Sequence, residues 1–133
     1  VMLGDGELQE GIIWEAAMSA AKWQLDNLTA IIDLNGVQLD GTTDEIMPLG
    51  DVQGKFESFG WNAMTVDGHD IVALCNAIDL ATEHQKQPTV IVAQTVKGKG
   101  ISFMEGQAAW HGQAINSEDF RQAIAQLEAV KHD

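Results

Sequence analysis

Residues 4–11 read Gly-Asp-Gly-Glu-Leu-Gln-Glu-Gly and follow directly on the apolar residues 1–3, Val-Met-Leu. Two glycines around a carboxylate are typical of a point where a strand ends, the backbone passes close to a ligand and a helix begins. The free N–H groups and the partial positive charge of that helix start would face phosphate oxygens. The stretch therefore predicts a strand–turn–helix unit with an anion-binding turn.

A second stretch, residues 33–38, reads Asp-Leu-Asn-Gly-Val-Gln at the end of another apolar segment. Positions 7–34 separate Gly6 from Asn35, which is room for one helix and one strand. Asn35 would then return beside Asp5 at the same edge of a parallel sheet. Carboxylate and carboxamide oxygens placed in this way can share a hard divalent cation, and the cation can hold a diphosphate. Gly-Asp-Gly by itself fits a plain turn equally well, so the prediction depends on both stretches.

Apolar periodicity extends this unit along the whole chain. Helical spacing predicts helices from position 7 or 10 to 24, and over 52–59, 71–84 and 117–131. Runs rich in Val, Ile and Leu predict strands over 1–3, 28–34, 61–66 and 89–96. Asp51, Asp70 and Ser117 are the predicted N-caps. The stretches 35–50 and 97–116 contain glycines without periodicity and are predicted to be long loops.

This alternation of strands and helices predicts an α/β fold, a three-layer doubly wound and mostly parallel sheet. In such sheets ligands bind outside the carboxyl ends of the strands. Four segments follow predicted strands and are expected at that edge: residues 4–6, 35–38, 68–69 and 97–111.

Composition limits the possible partners. The chain has 133 residues, 45% of them hydrophobic and 20% charged, which favours a folded domain over disorder. Its formal net charge of -13 would repel nucleic acid and anionic membranes, so neither is an expected partner. No apolar run reaches the roughly 20 residues of a membrane span.

Cys75 is the single cysteine, which indicates a reducing compartment and predicts a cytoplasmic protein. It lies among apolar residues at helical spacing, so we expect it to be a small buried hydrophobe. The chain opens at Val1 within an apolar run, and we therefore expect it to be part of a longer polypeptide.

The pairing of Gly4-Asp5-Gly6 with Asn35 resembles the diphosphate-binding signature of thiamine diphosphate enzymes. The wider context, residues 4–16 and 33–41, is similar to transketolase. Trp61, Asp-Gly-His-Asp at 67–70, Lys-Gly-Lys-Gly at 97–100 and Trp-His-Gly at 110–112 most resemble the amino-terminal subunit of split, two-gene transketolases. The resemblance covers essentially the whole chain. It implies that residues 1–133 are part of a single thiamine diphosphate PP-type domain, with an upstream portion of that domain absent.

The resemblance also implies a set of site residues. Asp5 and Asn35 would ligate magnesium, or calcium, through side-chain oxygens, and Val37 would add its backbone carbonyl. Gly4 and Gly6 would lie against the diphosphate of the thiamine diphosphate.

Three further residues receive roles in the same way. Leu39 would be the apolar residue near the thiazolium ring. His111 would contact the diphosphate and the reacting centre, although a structural loop histidine is the alternative. Glu10 would lie at a subunit interface where paired carboxylates share protons. It could equally be a first-turn residue that only complements the helix dipole.

The remaining candidates are predicted to be structural. His69 belongs to a helix-capping turn, and Glu15 is expected to be structural. His84 and His132 are expected at solvated helix ends. The tryptophans are predicted to be packing or interface residues: Trp14, Trp23 and Trp61.

The resemblance implies a transketolase, which transfers a two-carbon ketol unit between sugar phosphates. Alternatives are 1-deoxyxylulose-5-phosphate synthase, the alpha subunit of a 2-oxo acid dehydrogenase, or a non-catalytic assembly domain of the same fold. The glutamate that activates the aminopyrimidine belongs to a pyrimidine-binding domain, and no feature of this chain matches that domain. We therefore expect activity only in assembly with a pyrimidine-binding subunit or domain, and self-association as a dimer or heterotetramer.

Overall fold

A computed structural model describes residues 1–83 and 85–129. His84 and His132, and the predicted helix ends at 84 and 131, lie outside the described residues. Within them the chain forms six strands: β1 Met2–Gly4, β2 Thr29–Leu34, β3 Val37–Gln38, β4 Gly41–Thr42, β5 Asn62–Asp67 and β6 Thr89–Gln94. The α-helices are α1 Gly11–Lys22, α2 Thr43–Ile46, α3 Val52–Ser58, α4 Ile71–Ala81 and α5 Ser117–Ala129.

Four of the strands form one fully parallel sheet in the order β1-β2-β6-β5. Met2 pairs with Ile31, and Thr89 pairs with Thr29 on one side and Asn62 on the other. Strands β1 and β2 therefore end side by side, which places the two decisive stretches next to each other. This confirms the predicted α/β class with its mostly parallel sheet.

The main core lies between one face of the sheet and helices α1 and α3. Alternate residues of β2 and β6 point into it, and Phe56 of α3 is only 1% exposed. Ala17 and Ala20 are the buried positions of α1, and their small side chains allow the helix to lie close to the sheet. The indole N–H of Trp61 donates to the Ala17 carbonyl oxygen at 2.9 Å, which fixes α1 in place.

The opposite face of the sheet is covered by α4. Ile91 and Ala93 alternate with the core residues of β6, and Ala77 and Ala81 are the buried positions of α4. Helices therefore cover both faces, and the architecture has the three layers that were predicted. None of the helices in the described part of the chain is long and apolar enough to span a bilayer.

The predicted first helix is two helices. A 3-10 turn runs from Gly6 to Gln9, and α1 begins only at Gly11 because Glu10 is extended, with φ -79° and ψ 124°. The helix stops at Lys22, and Gln24 then takes a left-handed φ of 53°. The N–H groups that follow Gly4 and Asp5 therefore belong to the 3-10 turn and not to the start of α1.

The prediction of a structureless loop over 35–50 was wrong. Strands β3 and β4 form a short antiparallel hairpin, and the one-turn helix α2 follows it directly. Thr42 and Glu45 form a capping box: the Thr42 hydroxyl accepts from the Glu45 N–H while the Glu45 side chain reaches back to Thr42. The Thr-x-x-Glu spacing is a local signal for a helix start that does not depend on hydrophobic periodicity.

Two of the three predicted N-caps are confirmed. The Asp51 carboxylate accepts from the Gly54 N–H, and the Asp70 carboxylate accepts from the Ala73 N–H, each at 3.0 Å. The prediction for Ser117 was wrong by one residue, because the Asn116 Oδ1 accepts from the first-turn N–H groups of α5. Asn is an equally good cap, so the sequence alone did not separate the two positions.

The prediction that Cys75 is buried was also wrong, because Cys75 is exposed. Helix α4 is apolar on nearly all sides, and Ile71 and Val72 are 69% and 68% exposed. Its buried positions, Ala77 and Ala81, are spaced one turn apart, and Cys75 lies outside that stripe. Hydrophobicity alone therefore did not identify the buried face of this helix.

Candidate functional site

A cavity of about 560 Å³ opens at the carboxyl edge of the sheet. It is formed by the turn after β1, the end of β2, the β3–β4 hairpin and the glycine loop after β6. This cavity is lined by every candidate site residue that was predicted from the sequence: Gly4, Asp5, Gly6, Glu10, Asn35, Val37, Leu39 and His111. The fold thus brings together residues that are as far apart as positions 4 and 111.

Asp5 lies at the centre of the cavity floor and is only 1% exposed. The Gly6 N–H donates to its Oδ1 at 2.8 Å, and the Gly36 N–H donates to its Oδ2 at 2.5 Å. Its own N–H donates to the Asp33 carbonyl oxygen at 3.2 Å. One carboxylate therefore ties the turn after β1 to the turn after β2, and each oxygen keeps a further lone pair for a cation.

The environment of Asp5 disfavours its negative charge. Burial raises the pKa of the Asp5 carboxyl above its ordinary value of 3.8, and the nearby Asp33 carboxylate raises it further. The N–H groups of Gly36 and Gly6 oppose this rise without cancelling it. A cation bound at Asp5 would compensate the buried negative charge of its carboxylate, so the site fits a positively charged ligand.

This raised pKa predicts a dependence of stability on pH. A carboxyl whose pKa is higher in the folded chain than in the unfolded chain stabilises the fold below the unfolded pKa, and that contribution is lost as pH rises through the folded pKa. We therefore expect the unfolding free energy of the cofactor-free protein, relative to Asp5→Asn, to fall as pH rises from 3.8 upward. Denaturant titrations across this range measure the difference. A difference that rises with pH would contradict the assignment.

Asn35 is held in a defined orientation beside Asp5. Its Oδ1 accepts from the Val37 N–H at 3.0 Å, a local turn that leaves the second lone pair of this oxygen available. The residue between them, Gly36, has a φ of 73°, which other residues rarely adopt. Gly36 thus allows its own N–H to reach Asp5 while the Asn35 side chain faces the cavity.

The glycines at 4 and 6 are not required by backbone conformation, since neither has a positive φ. A Cβ added at Gly6 would come within 3.1 Å of the Gln38 Cβ, so packing partly explains that glycine. A Cβ at Gly4 would meet only the Glu7 carboxylate, at an ordinary 3.6 Å. Gly4 is therefore explained by the cavity, which a side chain there would partly fill.

Gln38 carries a buried acceptor beside this cavity. Its Oε1 is buried and has no hydrogen-bond partner among the described residues. A buried acceptor without a donor costs about 1–3 kcal/mol, and native structures contain few of them. A donor from water or from a ligand at this wall would satisfy the Gln38 oxygen.

Side chains alone do not make a complete metal centre here. Within residues 1–83 and 85–129, no three His, Cys, Asp or Glu side chains converge as metal ligands. The predicted ligands offer one carboxylate, from Asp5, one carboxamide, from Asn35, and the backbone carbonyl of Val37. Such an all-oxygen set suits Mg²⁺ or Ca²⁺ and leaves several coordination positions to a ligand and water.

His111, Glu10 and Leu39 lie at the exposed mouth of the cavity. His111 ends a 3-10 turn, Ala108–His111, which is anchored by the Trp110 indole: its N–H donates to the Phe103 carbonyl at 3.0 Å. Glu10 occupies the N-cap position of α1, and its side chain makes no capping hydrogen bond. Leu39 is 66% exposed, so its contacts within the chain do not account for an apolar residue there.

Several other candidates are structural, as predicted. His69 Nε2 accepts from the Val96 N–H at 2.8 Å and so connects two strand ends. Trp14 packs against Phe56, and its indole N–H donates to the Leu8 carbonyl at 2.8 Å. Trp23 is 72% exposed, and no aromatic ring among residues 1–83 and 85–129 packs against it.

The sequence interpretation did not assign a role at this site to several residues that line the cavity: Glu7, Gln9, Asp33, Gln38, Asp40 and Lys97. Glu7 accepts from the Gly4 N–H at 2.6 Å, so it shapes the turn directly. Lys97 follows β6 at the same sheet edge, and this position in the sequence is the signal that could have identified it as a cavity residue.

Comparison with known protein families agrees with this geometry. A family described as "Transketolase, thiamine diphosphate binding domain" matches residues 1–130. The match therefore covers the sheet, the cavity and nearly the whole chain.

Curated relatives lead to the same group. A 6-deoxy-6-sulfo-D-fructose transketolase subunit, SqwG, of Clostridium sp. (strain MSTE9) is 43% identical over 127 residues, covering 96% of this chain and 46% of the relative. An apulose-4-phosphate transketolase subunit of Phocaeicola vulgatus is 40% identical over 130 residues, covering 96% of this chain and 45% of the relative. The chain thus spans about half the length of these curated relatives.

Solved structures match the fold closely. Transketolase from Campylobacter jejuni superimposes with a TM-score of 0.88 at 31% identity, covering 96% of this chain and 20% of that one. A Pichia stipitis transketolase structure gives a TM-score of 0.89 at 35% identity, with 96% and 19% covered. The three-layer architecture is therefore that of a well-described fold.

Proposed function

Because this chain belongs to the transketolase family, through its thiamine diphosphate-binding domain, we propose that it forms the diphosphate- and metal-binding half of a transketolase active site. The whole enzyme transfers a two-carbon ketol unit between sugar phosphates. The observation that carries this proposal is the junction of Asp5 and Asn35 at neighbouring strand ends, on the floor of a cavity that also includes His111.

The metal in this proposal is Mg²⁺ or Ca²⁺. Asp5 and Asn35 would contribute side-chain oxygens, and Val37 its backbone carbonyl. Because this set contains only one carboxylate, the remaining positions fall to phosphate oxygens and water. Metal and cofactor should therefore bind together, each strengthening the binding of the other.

Thiamine diphosphate, when bound, supplies a carbon nucleophile from its thiazolium ring. The chain's own residues would bind and orient it. Gly4 and Gly6 would lie against the diphosphate, and Leu39 would exclude water beside the ring. His111 would donate to the diphosphate and, at the cavity mouth, face the reacting centre.

Glu10 is proposed to act at a subunit boundary. Its side chain is exposed at the cavity mouth, where a carboxylate of a partner chain would face it and share a proton with it. Apolar side chains of α1 and its end support such an interface, since Ile12, Met18 and Trp23 are 68%, 50% and 72% exposed. We propose a pyrimidine-binding subunit or domain as the partner, and self-association as a dimer or heterotetramer.

The substrates are proposed to be sugar phosphates, with pentose phosphates as the default. Two relatives are named for different sugars, 6-deoxy-6-sulfo-D-fructose and apulose-4-phosphate, so the names support ketol transfer more than any one substrate. A cytoplasmic location is also proposed, on the support of the single cysteine.

The test is an activity assay on the assembled protein. With the pyrimidine-binding partner, thiamine diphosphate and Mg²⁺, we expect ketol transfer between sugar phosphates, and none when either chain is omitted. Decarboxylation of a 2-oxo acid without ketol transfer would instead favour a 2-oxo acid dehydrogenase. Absence of cofactor binding in the assembled protein would favour a non-catalytic assembly domain.

A further inference from the structure

The turn Asp-Gly-His-Asp at 67–70 makes a contact that helix capping does not explain. It leads from β5 into α4, and the Asp70 carboxylate caps that helix. The Asp67 carboxylate accepts from the His69 N–H at 2.8 Å, so both carboxylates serve the turn itself. The His69 imidazole instead reaches the end of the neighbouring strand β6, where its Nε2 accepts from the Val96 N–H at 2.8 Å.

Val96 is the point at which the chain leaves the sheet. Strand β6 ends at Gln94, and the Thr95 N–H still donates to the Leu34 carbonyl of β2 at 3.2 Å. The next donor, the Val96 N–H, is bound by the His69 imidazole and not by a strand. Backbone N–H groups need such partners, and this one extends the attachment of the chain by one residue.

The turn and the strand end also fit closely together. The Gly68 N–H donates to the Gln94 carbonyl oxygen at 2.8 Å. A Cβ added at Gly68 would overlap with the Thr95 side chain and lie 3.0 Å from the Gln94 carbonyl oxygen. This close approach is what requires a glycine at position 68, and it brings the imidazole of the next residue within reach of Val96.

The glycine loop that begins after Val96, residues 97–111, is held together by its own bonds. The Gly106 N–H donates to the Lys97 carbonyl at 2.9 Å and so closes the loop on its first residue. The Trp110 indole N–H donates to the Phe103 carbonyl at 3.0 Å, which ties the 3-10 turn at the end of the loop to its middle. The place of this loop at the cavity therefore depends on how its start is attached to the sheet.

We propose that His69 is a positioning residue for cofactor binding: its Nε2 fixes the start of the glycine loop and thereby the places of Lys97 and His111 in the cavity wall. His69 itself is not among the described residues that line this cavity. A loop that is already held in its bound position loses less conformational freedom when the ligand binds. The inference deepens the proposed function and rests on it, since it takes thiamine diphosphate as the ligand.

The experiment compares His69→Gln with His69→Asn in the complete enzyme. The Gln side chain places its carboxamide oxygen about as far from the backbone as Nε2, whereas the Asn oxygen is one methylene shorter and does not reach Val96. Thiamine diphosphate affinity, measured by titration calorimetry at saturating Mg²⁺, should fall about three- to tenfold in His69→Asn, the range of one net hydrogen bond. His69→Gln should bind nearly like wild type.

Hydrogen exchange without cofactor tests the position of the loop directly. Amides of residues 96–111 should exchange faster in His69→Asn than in wild type, and His69→Gln should restore the slower rates. A purely structural role would lower the unfolding temperature of His69→Asn and leave its cofactor affinity unchanged.

The outcomes that contradict the inference are distinct from a failure of the proposed function. Wild-type affinity in His69→Asn, or a loss of affinity that His69→Gln does not recover, overturns the inference alone. Unchanged exchange of residues 96–111 in His69→Asn overturns it as well. If the wild-type enzyme binds no thiamine diphosphate in the presence of Mg²⁺, the proposed function fails, and the inference fails with it.

Discussion

Replacing Asp5 by alanine should abolish the metal-dependent binding of thiamine diphosphate. The substitution removes the only carboxylate proposed to ligate the metal. Loss of a partner one shell further out typically weakens metal binding by about 10–100-fold, so loss of the ligand itself should cost more than ~100-fold in cofactor affinity. Titration of the complete enzyme with cofactor, with and without Mg²⁺, measures this change.

The effect of Asp5→Ala on folding stability must be measured separately from its effect on cofactor binding. Asp5→Ala leaves the N–H groups of Gly6 and Gly36 without their acceptor, but it also removes a buried charge whose pKa is raised. These effects oppose each other, so the baseline unfolding temperature is a poor readout. The shift produced by ligand is better: at about 100 times Kd, cofactor should stabilise the wild type by about 2.7 kcal/mol and Asp5→Ala by none.

Asp79→Ala is the matched control for this prediction. Asp79 is exposed on α4, remote from the cavity, and its removal changes the net charge by the same amount. The control should keep both the affinity and the ligand-induced shift. If Asp5→Ala still binds cofactor in a Mg²⁺-dependent way, Asp5 is not a metal ligand and the proposed site is wrong.

Replacing Gly98 by alanine should displace the loop that carries Lys97 and His111. Gly98 has a φ of 73°, and a Cβ there would lie 2.7 Å from the Met104 Cβ and 2.8 Å from the Met104 carbonyl oxygen. The left-handed backbone alone costs a non-glycine residue about 1–2 kcal/mol. The clash with backbone adds to this and is relieved only if the loop moves, so we expect both lower stability and weaker cofactor binding.

Gly106→Ala separates the clash from the backbone strain. Gly106 lies in the same loop with a φ of 67°, but a Cβ added there meets nothing within 4 Å. It should therefore cost only the ~1–2 kcal/mol of left-handed strain and leave cofactor affinity nearly unchanged. Denaturant unfolding and cofactor titration of both variants make the comparison. Equal effects in the two variants would show that the contact with Met104 does not hold the loop.

The features predicted well from sequence were those with a local cause. Asp51 and Asp70 cap their helices through bonds to residues only three positions away, so the residue type and its place suffice. The sequence predicts that Asp5 and Asn35 lie side by side, because one helix and one strand separate them. Neighbouring parallel strands then end at the same edge of the sheet. The resemblance to transketolases added the residue roles, and the family match supports that identification.

The features predicted poorly depended on competition between similar local signals or on packing. The β3–β4 hairpin and helix α2, which the Thr42–Glu45 capping box starts, lie within a stretch whose glycines indicated a loop. Cys75 is exposed because α4 has more apolar surface than the sheet covers. Neither outcome is visible in hydrophobicity alone, since burial is decided by which face meets a partner.

The sequence by itself determined the alternation of strands and helices, the parallel sheet and the residues that meet at its edge, because periodicity and turn chemistry act over short distances. Only the tertiary structure decided the burial and the electrostatic environment of those residues. Burial raises the pKa of Asp5, and among the described residues the Gln38 oxygen is left without a donor and Lys97 is left unpaired among carboxylates. These properties arise from desolvation and from charges brought together across the chain, and their strength depends on distances that no single segment of sequence sets.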